Sequence, residues 1–121
     1  MQDMVTYNTV EGTGSAIDVD IGFVPSALIA VNIDGGGDTA GIIWVRSMGD
    51  GNGWKFDSSG PALSILSANG ISALMEDLEV SLSNTSSDGD TTTFTGDRGF
   101  TIGADTDINV SGETIAYVAW R

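Results

Sequence analysis

Residues 16–21 alternate Ile17, Val19 and Ile21 with Asp18 and Asp20, so an extended chain turns one face to a core and two carboxylates to water. This predicts a half-buried strand. After Gly22 the Phe23-Val24-Pro25 step interrupts pairing, because proline has no N–H to donate. Ala27 to Ile33 then resumes as an apolar run ended by Asp34 and the glycines behind it, which predicts a central strand. Ile42 to Met48 sets Ile43, Val45 and Ser47 against Ile42, Trp44, Arg46 and Met48, ahead of a Gly49-Asp50-Gly51-Asn52-Gly53 loop. Both of its faces are expected to be at least partly covered.

The stretch from Pro61 to Leu82 fits a helix near Ile71 to Leu78 or two strands. Strands are preferred, because Asn69-Gly70 is a favoured hairpin pair and Glu79 to Leu82 alternates. Asn84 to Asp90 has the short polar side chains of an exposed loop tip. Further strands are expected at Thr91 to Thr95, around Gly99-Phe100-Thr101-Ile102-Gly103, at Ile108 to Val110 and, after a Ser111-Gly112 turn, at Thr114 to Trp120. In the last of these neither face is polar, which implies burial on both sides or against a neighbour. The whole predicts an all-β fold, an antiparallel sandwich or jelly-roll-like barrel of about eight to ten short strands. Residues 1–121 form a single domain, with 1–10 either an N-terminal arm or the first strand.

Seventeen glycines among 121 residues, gathered in clusters, fit a chain of strands punctuated by turns. Seventeen acidic against four basic residues give a net charge of −13, which repels phosphate backbones and anionic headgroups. Nucleic acid and membrane are therefore excluded as expected partners. Apolar stretches are far shorter than the roughly 20 residues of a membrane-spanning helix, and no basic leader precedes an apolar segment, so the chain reads as soluble. With neither histidine nor cysteine, it has no disulfide, no thiolate zinc site and no Ser-His-Asp triad.

The remaining candidate chemistry is carboxylate chemistry. Asp18 with Asp20, or Asp105 with Asp107, has the residue types of a glycosidase acid and base, but each sits among Thr, Ser and Gly rather than in the apolar surroundings that raise a catalytic pKa. Asp105, Asp107 and Asn109 also alternate as calcium ligands do, without the glycine and terminal glutamate of an EF-hand loop. No enzyme activity, cofactor or metal is expected. Trp44 and Trp120 lie in strongly apolar strands and are expected in a core or interface, whereas Trp54, between Gly53 and Lys55, suits contact with a partner. Met1, Met4, Val5, Tyr7, Trp54 and Phe56 are the expected partner-interface residues.

Three segments carry a resemblance. They are Gly12-Thr13-Gly14-Ser15-Ala16-Ile17-Asp18-Val19-Asp20-Ile21-Gly22-Phe23-Val24-Pro25-Ser26 at the front, and at the end Gly99-Phe100-Thr101-Ile102-Gly103 with Asn109-Val110-Ser111-Gly112-Glu113-Thr114-Ile115-Ala116-Tyr117-Val118-Ala119-Trp120. Together they resemble small tailed-bacteriophage virion proteins, among them head decoration (cement) proteins, with related end motifs in tail-fibre modules. The resemblance implies a structural role without catalysis. Absence of heptads or shaft repeats favours the head over a fibre. On that basis the expected function is a capsid decoration protein, made in the host cytoplasm, that binds the major capsid protein on the outer surface of the virion, as a homotrimer on the shell, and stabilises it. The alternative is a tail-fibre or receptor-binding tip that recognises a host surface glycan.

Overall fold

The computed structural model describes residues 5–36, 38–81 and 91–121, with the backbone alone described at 76–81 and 91–95. The described residues form β1 (Val5–Glu11), β2 (Ile17–Asp20), β3 (Ala27–Asn32), β4 (Ala40–Val45), β5 (Asn52–Asp57), β6 (Leu63–Ser81), β7 (Thr91–Ile102) and β8 (Thr114–Trp120). A single 3-10 turn, Arg46–Met48, follows β4. Every pairing is antiparallel, in the order β1-β8-β3-β4-β5-β6-β7-β2. The fold is all-β, one sheet curled into a half-barrel. No helix among the described residues is long and apolar enough to cross a membrane.

The curl brings strands from opposite ends of the sheet together. Phe100 of β7 meets Tyr117 of β8 edge-to-face, ring centroids 5.1 Å apart at 71°, although these strands are far apart in the pairing order. Period-two alternation supplies the core: Leu28 and Ala30 from β3, Ile42 and Trp44 from β4, and Ile115 and Ala119 from β8 are fully buried with Ile71 and Phe100. The Trp44 indole N–H donates to the Gly49 carbonyl at 2.9 Å, so its burial leaves no polar group unpaired.

The last strand is an internal one. β8 lies between β1 and β3, with Trp120 opposite Val5 on one side and Ala27 on the other. Residues 5–11 are therefore a first strand within the chain's own sheet, at its edge, rather than an arm reaching away. β2 is the other edge, and the link between the two edges crosses an end of the half-barrel. Asn109 fastens that link: its Oδ1 accepts from the Thr13 and Gly14 N–H groups, and its Nδ2 donates to the Ser15 and Gly103 carbonyls. The residue is 2% exposed.

Three expectations need correction. Asn69-Gly70 does not reverse the chain: Asn69 takes a left-handed φ of 60°, as in a hairpin, but β6 continues through it with a kink. Before the kink β6 pairs with β5, and from Ile71 onward it pairs with β7, so the strand carries the sheet around its corner. Gly70 is required there, because a Cβ would sit 2.2 Å from the Asn52 carbonyl oxygen. Ile108 to Val110 is loop rather than strand, since Ile108 and Asn109 are drawn inward instead of pairing along a ladder. The two segments expected at Thr91 to Thr95 and Gly99 to Gly103 join in one strand of 12 residues, and β6 runs for 19, so not all strands are short. Asn84 to Asp90 lies outside the described residues.

Replacing Asn109 by Ala removes four hydrogen bonds, leaving the Thr13 and Gly14 N–H groups and the Gly103 carbonyl without this partner while the Ser15 carbonyl keeps the Thr13 hydroxyl, and should lower stability by about 2–4 kcal/mol. Urea unfolding should show a lower midpoint with an unchanged slope. A wild-type midpoint would show that the crossing link does not depend on this side chain.

Candidate functional site

Alternation that fills the core with one set of side chains leaves the other set on the outside of the sheet. Register aligns these into rows across the strands. One row runs Tyr7, Val118, Ile29, Ile43, Trp54, Ile65 over six consecutive strands. Beside it runs Thr9, Ala116, Val31, Gly41, Phe56, Leu63. On the other flank is a shorter row, Val5, Trp120, Ala27, Val45. Charged side chains are absent from all three rows. They begin at the margins, with Glu11 at the end of β1 and Arg46 after β4, while Lys55 points to the opposite side of β5.

With strands about 4.8 Å apart, the six-strand rows span about 24 Å. Tyr7 is 79% exposed, Ile65 72%, Leu63 61%, Val5 48% and Trp54 44%. Together they form a contiguous exposed apolar surface rather than isolated apolar residues. Its relief is uneven. Over β1, β8 and β3 a groove of about 400 Å³ is lined by Tyr7, Thr9, Ile29, Val31, Ala116 and Val118. Over β4, β5 and β6 the surface carries the larger Trp54, Phe56, Leu63 and Ile65. The Phe56 ring lies over Gly41, where a Cβ would approach the ring to 2.3 Å, so glycine at 41 lets the aromatic lie down on the sheet.

Of the expected interface residues, Val5, Tyr7, Trp54 and Phe56 all fall on this face, in adjacent rows. Met1 and Met4 lie outside the described residues. Sequence reasoning missed Ile29, Val118, Leu63 and Ile65 as members of the same surface. A signal was present in β8, whose two apolar faces demanded two neighbours. Trp44 is in the core, whereas Trp120 is on the outer face and 36% exposed.

The carboxylate candidates lie elsewhere and are tied to neighbours. On β2, Asp18 accepts from the Thr101 hydroxyl at 2.8 Å and Asp20 pairs with the Arg98 Nε at 3.1 Å. Asp105 and Asp107 both bind the Lys55 ammonium, the first at 3.0 Å, while Asp105 also accepts from the Asp107 and Ile108 N–H groups. Asn109 turns away into its contacts with residues 13–15, so the three oxygen-bearing side chains proposed for calcium do not converge. Burial disfavours charge on Lys55, but the hydrogen bonds it donates to Asp107 and Asp105 and their negative charges prevail and hold its pKa above the ordinary lysine value. The Ser59 N–H and hydroxyl hold Asp57 below the usual carboxylate range, and Thr114 does the same for Asp34.

Comparisons with protein-family models, with curated proteins and with solved structures find no match to this chain.

A raised lysine pKa stabilises the fold below its unfolded value of about 10.4 and ceases to do so as pH climbs through the folded value. The Tyr117 hydroxyl, raised by burial, acts in the same direction. Thermal melts should therefore fall above about pH 10, and Lys55→Met should make that fall shallower while lowering stability at neutral pH by about 1–2 kcal/mol. Asp34 and Asp57 act oppositely: their contribution is present above about pH 4 and is lost as pH drops through their depressed values. An alkaline melt identical in Lys55→Met and wild type would show that the Lys55 cluster is not coupled to folding.

Proposed function

We propose that this chain is a structural adhesion module whose outer sheet face is buried against other protein in a larger assembly, and that the assembly is the head of a tailed phage. The observation that carries the first part is the set of three uncharged rows across β1, β8, β3, β4, β5 and β6. The resemblance of residues 12–26, 99–103 and 109–120 to small phage virion proteins, decoration proteins among them, supports the second. On this reading the chain sits on the outer surface of the major capsid protein shell. Each bound copy adds its binding free energy to the assembled state, about 2.7 kcal/mol when its free concentration is a hundred times its Kd. The three rows contain no charged residue, so the net charge of −13 belongs to the rest of the chain and would keep decorated particles apart.

A glycan-binding tail tip would use Trp54 as a stacking platform. Its register neighbours are Ile43 and Ile65, which offer no hydrogen bonds to sugar hydroxyls, so the adhesion reading is favoured.

The test is cryo-EM of particles of the phage that encodes the chain, with purified protein added to undecorated heads. Density at three-fold or quasi-three-fold positions is expected, and loss of binding by at least about tenfold with Tyr7→Glu/Ile65→Glu, whose circular dichroism should match wild type. Density confined to the tail would overturn the head placement.

A further inference from the structure

We infer that the outer face is covered by a second copy of this chain, the two sheets stacked face to face about a two-fold axis. The inference rests on reading this face as a protein-binding surface and adds the identity of the partner. Its basis is the order of large and small side chains along the rows.

Consider an axis lying in the interface, parallel to the strands and midway between β3 and β4. Rotation about it lays β4 of one copy over β3 of the other, β5 over β8, and β6 over β1, without shifting a residue along its row. In the second row this sets Ala116 opposite the partner's Phe56, and Val31 opposite the partner's Gly41. In the short row Ala27 falls opposite the partner's Val45. Small therefore meets large at each of these positions, and twice over by symmetry, which is the self-complementarity an isologous interface demands. In the long row Val118 receives the partner's Trp54, so the groove over β1, β8 and β3 takes the bulk carried on β5.

Size and charge agree. The three rows together hold seven exposed large apolar side chains, Val5, Tyr7, Val45, Trp54, Leu63, Ile65 and Trp120, an area on the order of the roughly 800 Å² that each partner contributes to a stable interface. Sheets stacked about 10 Å apart would interdigitate as in a β-sandwich, closing a second core between two copies. Each copy carries −13, but the charges lie off the three rows, and salt screens them beyond about 8 Å. Self-association through this face should strengthen with added salt, unlike docking onto a basic partner.

The chain has no cysteine, which allows a direct test. Thr9 and Leu63 stand at opposite ends of one row, about 24 Å apart within a copy, yet the two-fold sets Thr9 against the partner's Leu63. Because facing sheets lie about 10 Å apart, beyond disulfide reach, a short bismaleimide is the probe: Thr9→Cys/Leu63→Cys should give an intermolecular 9–63 crosslink. Native mass spectrometry of wild type should give twice the 12.5 kDa chain mass, and Ala116→Arg should weaken the dimer about tenfold or more while retaining the β-sheet spectrum. A monomer or a trimer at tens of micromolar, or absence of the 9–63 crosslink, would overturn the inference. If the protein is monomeric yet Tyr7→Glu/Ile65→Glu still abolishes head binding, the partner is shell protein and the adhesion reading stands alone. A crosslinked dimer that is absent from heads would retain the pairing and remove the head placement.

Discussion

Insertion of β8 between β1 and β3 is the constraint on which both surfaces of this sheet depend. Alternate residues of one seven-residue strand send Ile115, Tyr117 and Ala119 into the core and Ala116, Val118 and Trp120 to the outer face. A register slip of one residue would exchange the two sets, replacing the Tyr117 contact with Phe100 and putting Trp120 inside. Burial of the inner set is strong enough to exclude that slip, and so it also fixes where the outer rows lie. Core and exposed apolar face are thus two products of the same alternation.

Much of the fold was legible because its signals are local. The Ile17-Val19-Ile21 alternation marks β2, the apolar run from Ala27 marks β3 as central, and the uniformly apolar Thr114–Trp120 marks a strand with neighbours on both sides. The kink at Asn69-Gly70 was not legible, because its direction is set by Asn52 and Gly103, which the fold brings from elsewhere: Gly103 donates to the Gly70 carbonyl at 2.9 Å. Nor was the inward turn at Ile108 and Asn109, where Ile108 and Val110 flanking a polar residue imitate an alternating strand but the amide of Asn109 binds a link almost a hundred positions earlier. The candidate surface was legible in pieces only. Val5, Tyr7, Trp54 and Phe56 stand out singly, but that they share adjacent rows follows from strand order, which no local pattern encodes. Leu63 and Ile65 were hidden in a segment whose spacing also suits a helix.

Asn109 gives a physical reason why the front and end motifs occur together. Its Oδ1 and Nδ2 grip the Thr13-Gly14-Ser15 turn, so the polar turn before β2 and the loop before β8 are one clip. The clip holds the crossing between the two edge strands and thereby the curl of the sheet. Acidic residues are absent from the outer rows, which separates a charged surface from an apolar one on a molecule of 121 residues.

The central claim is that the outer rows are buried in the working assembly. Hydroxyl-radical footprinting of the free, dilute chain and of the assembled particle measures this side chain by side chain. Strong protection of Tyr7, Trp54, Leu63 and Ile65 on assembly, with the β2 edge around Asp18 and Asp20 unchanged, is the predicted result. Equal reactivity of those four side chains in both states, with protection elsewhere, would contradict it.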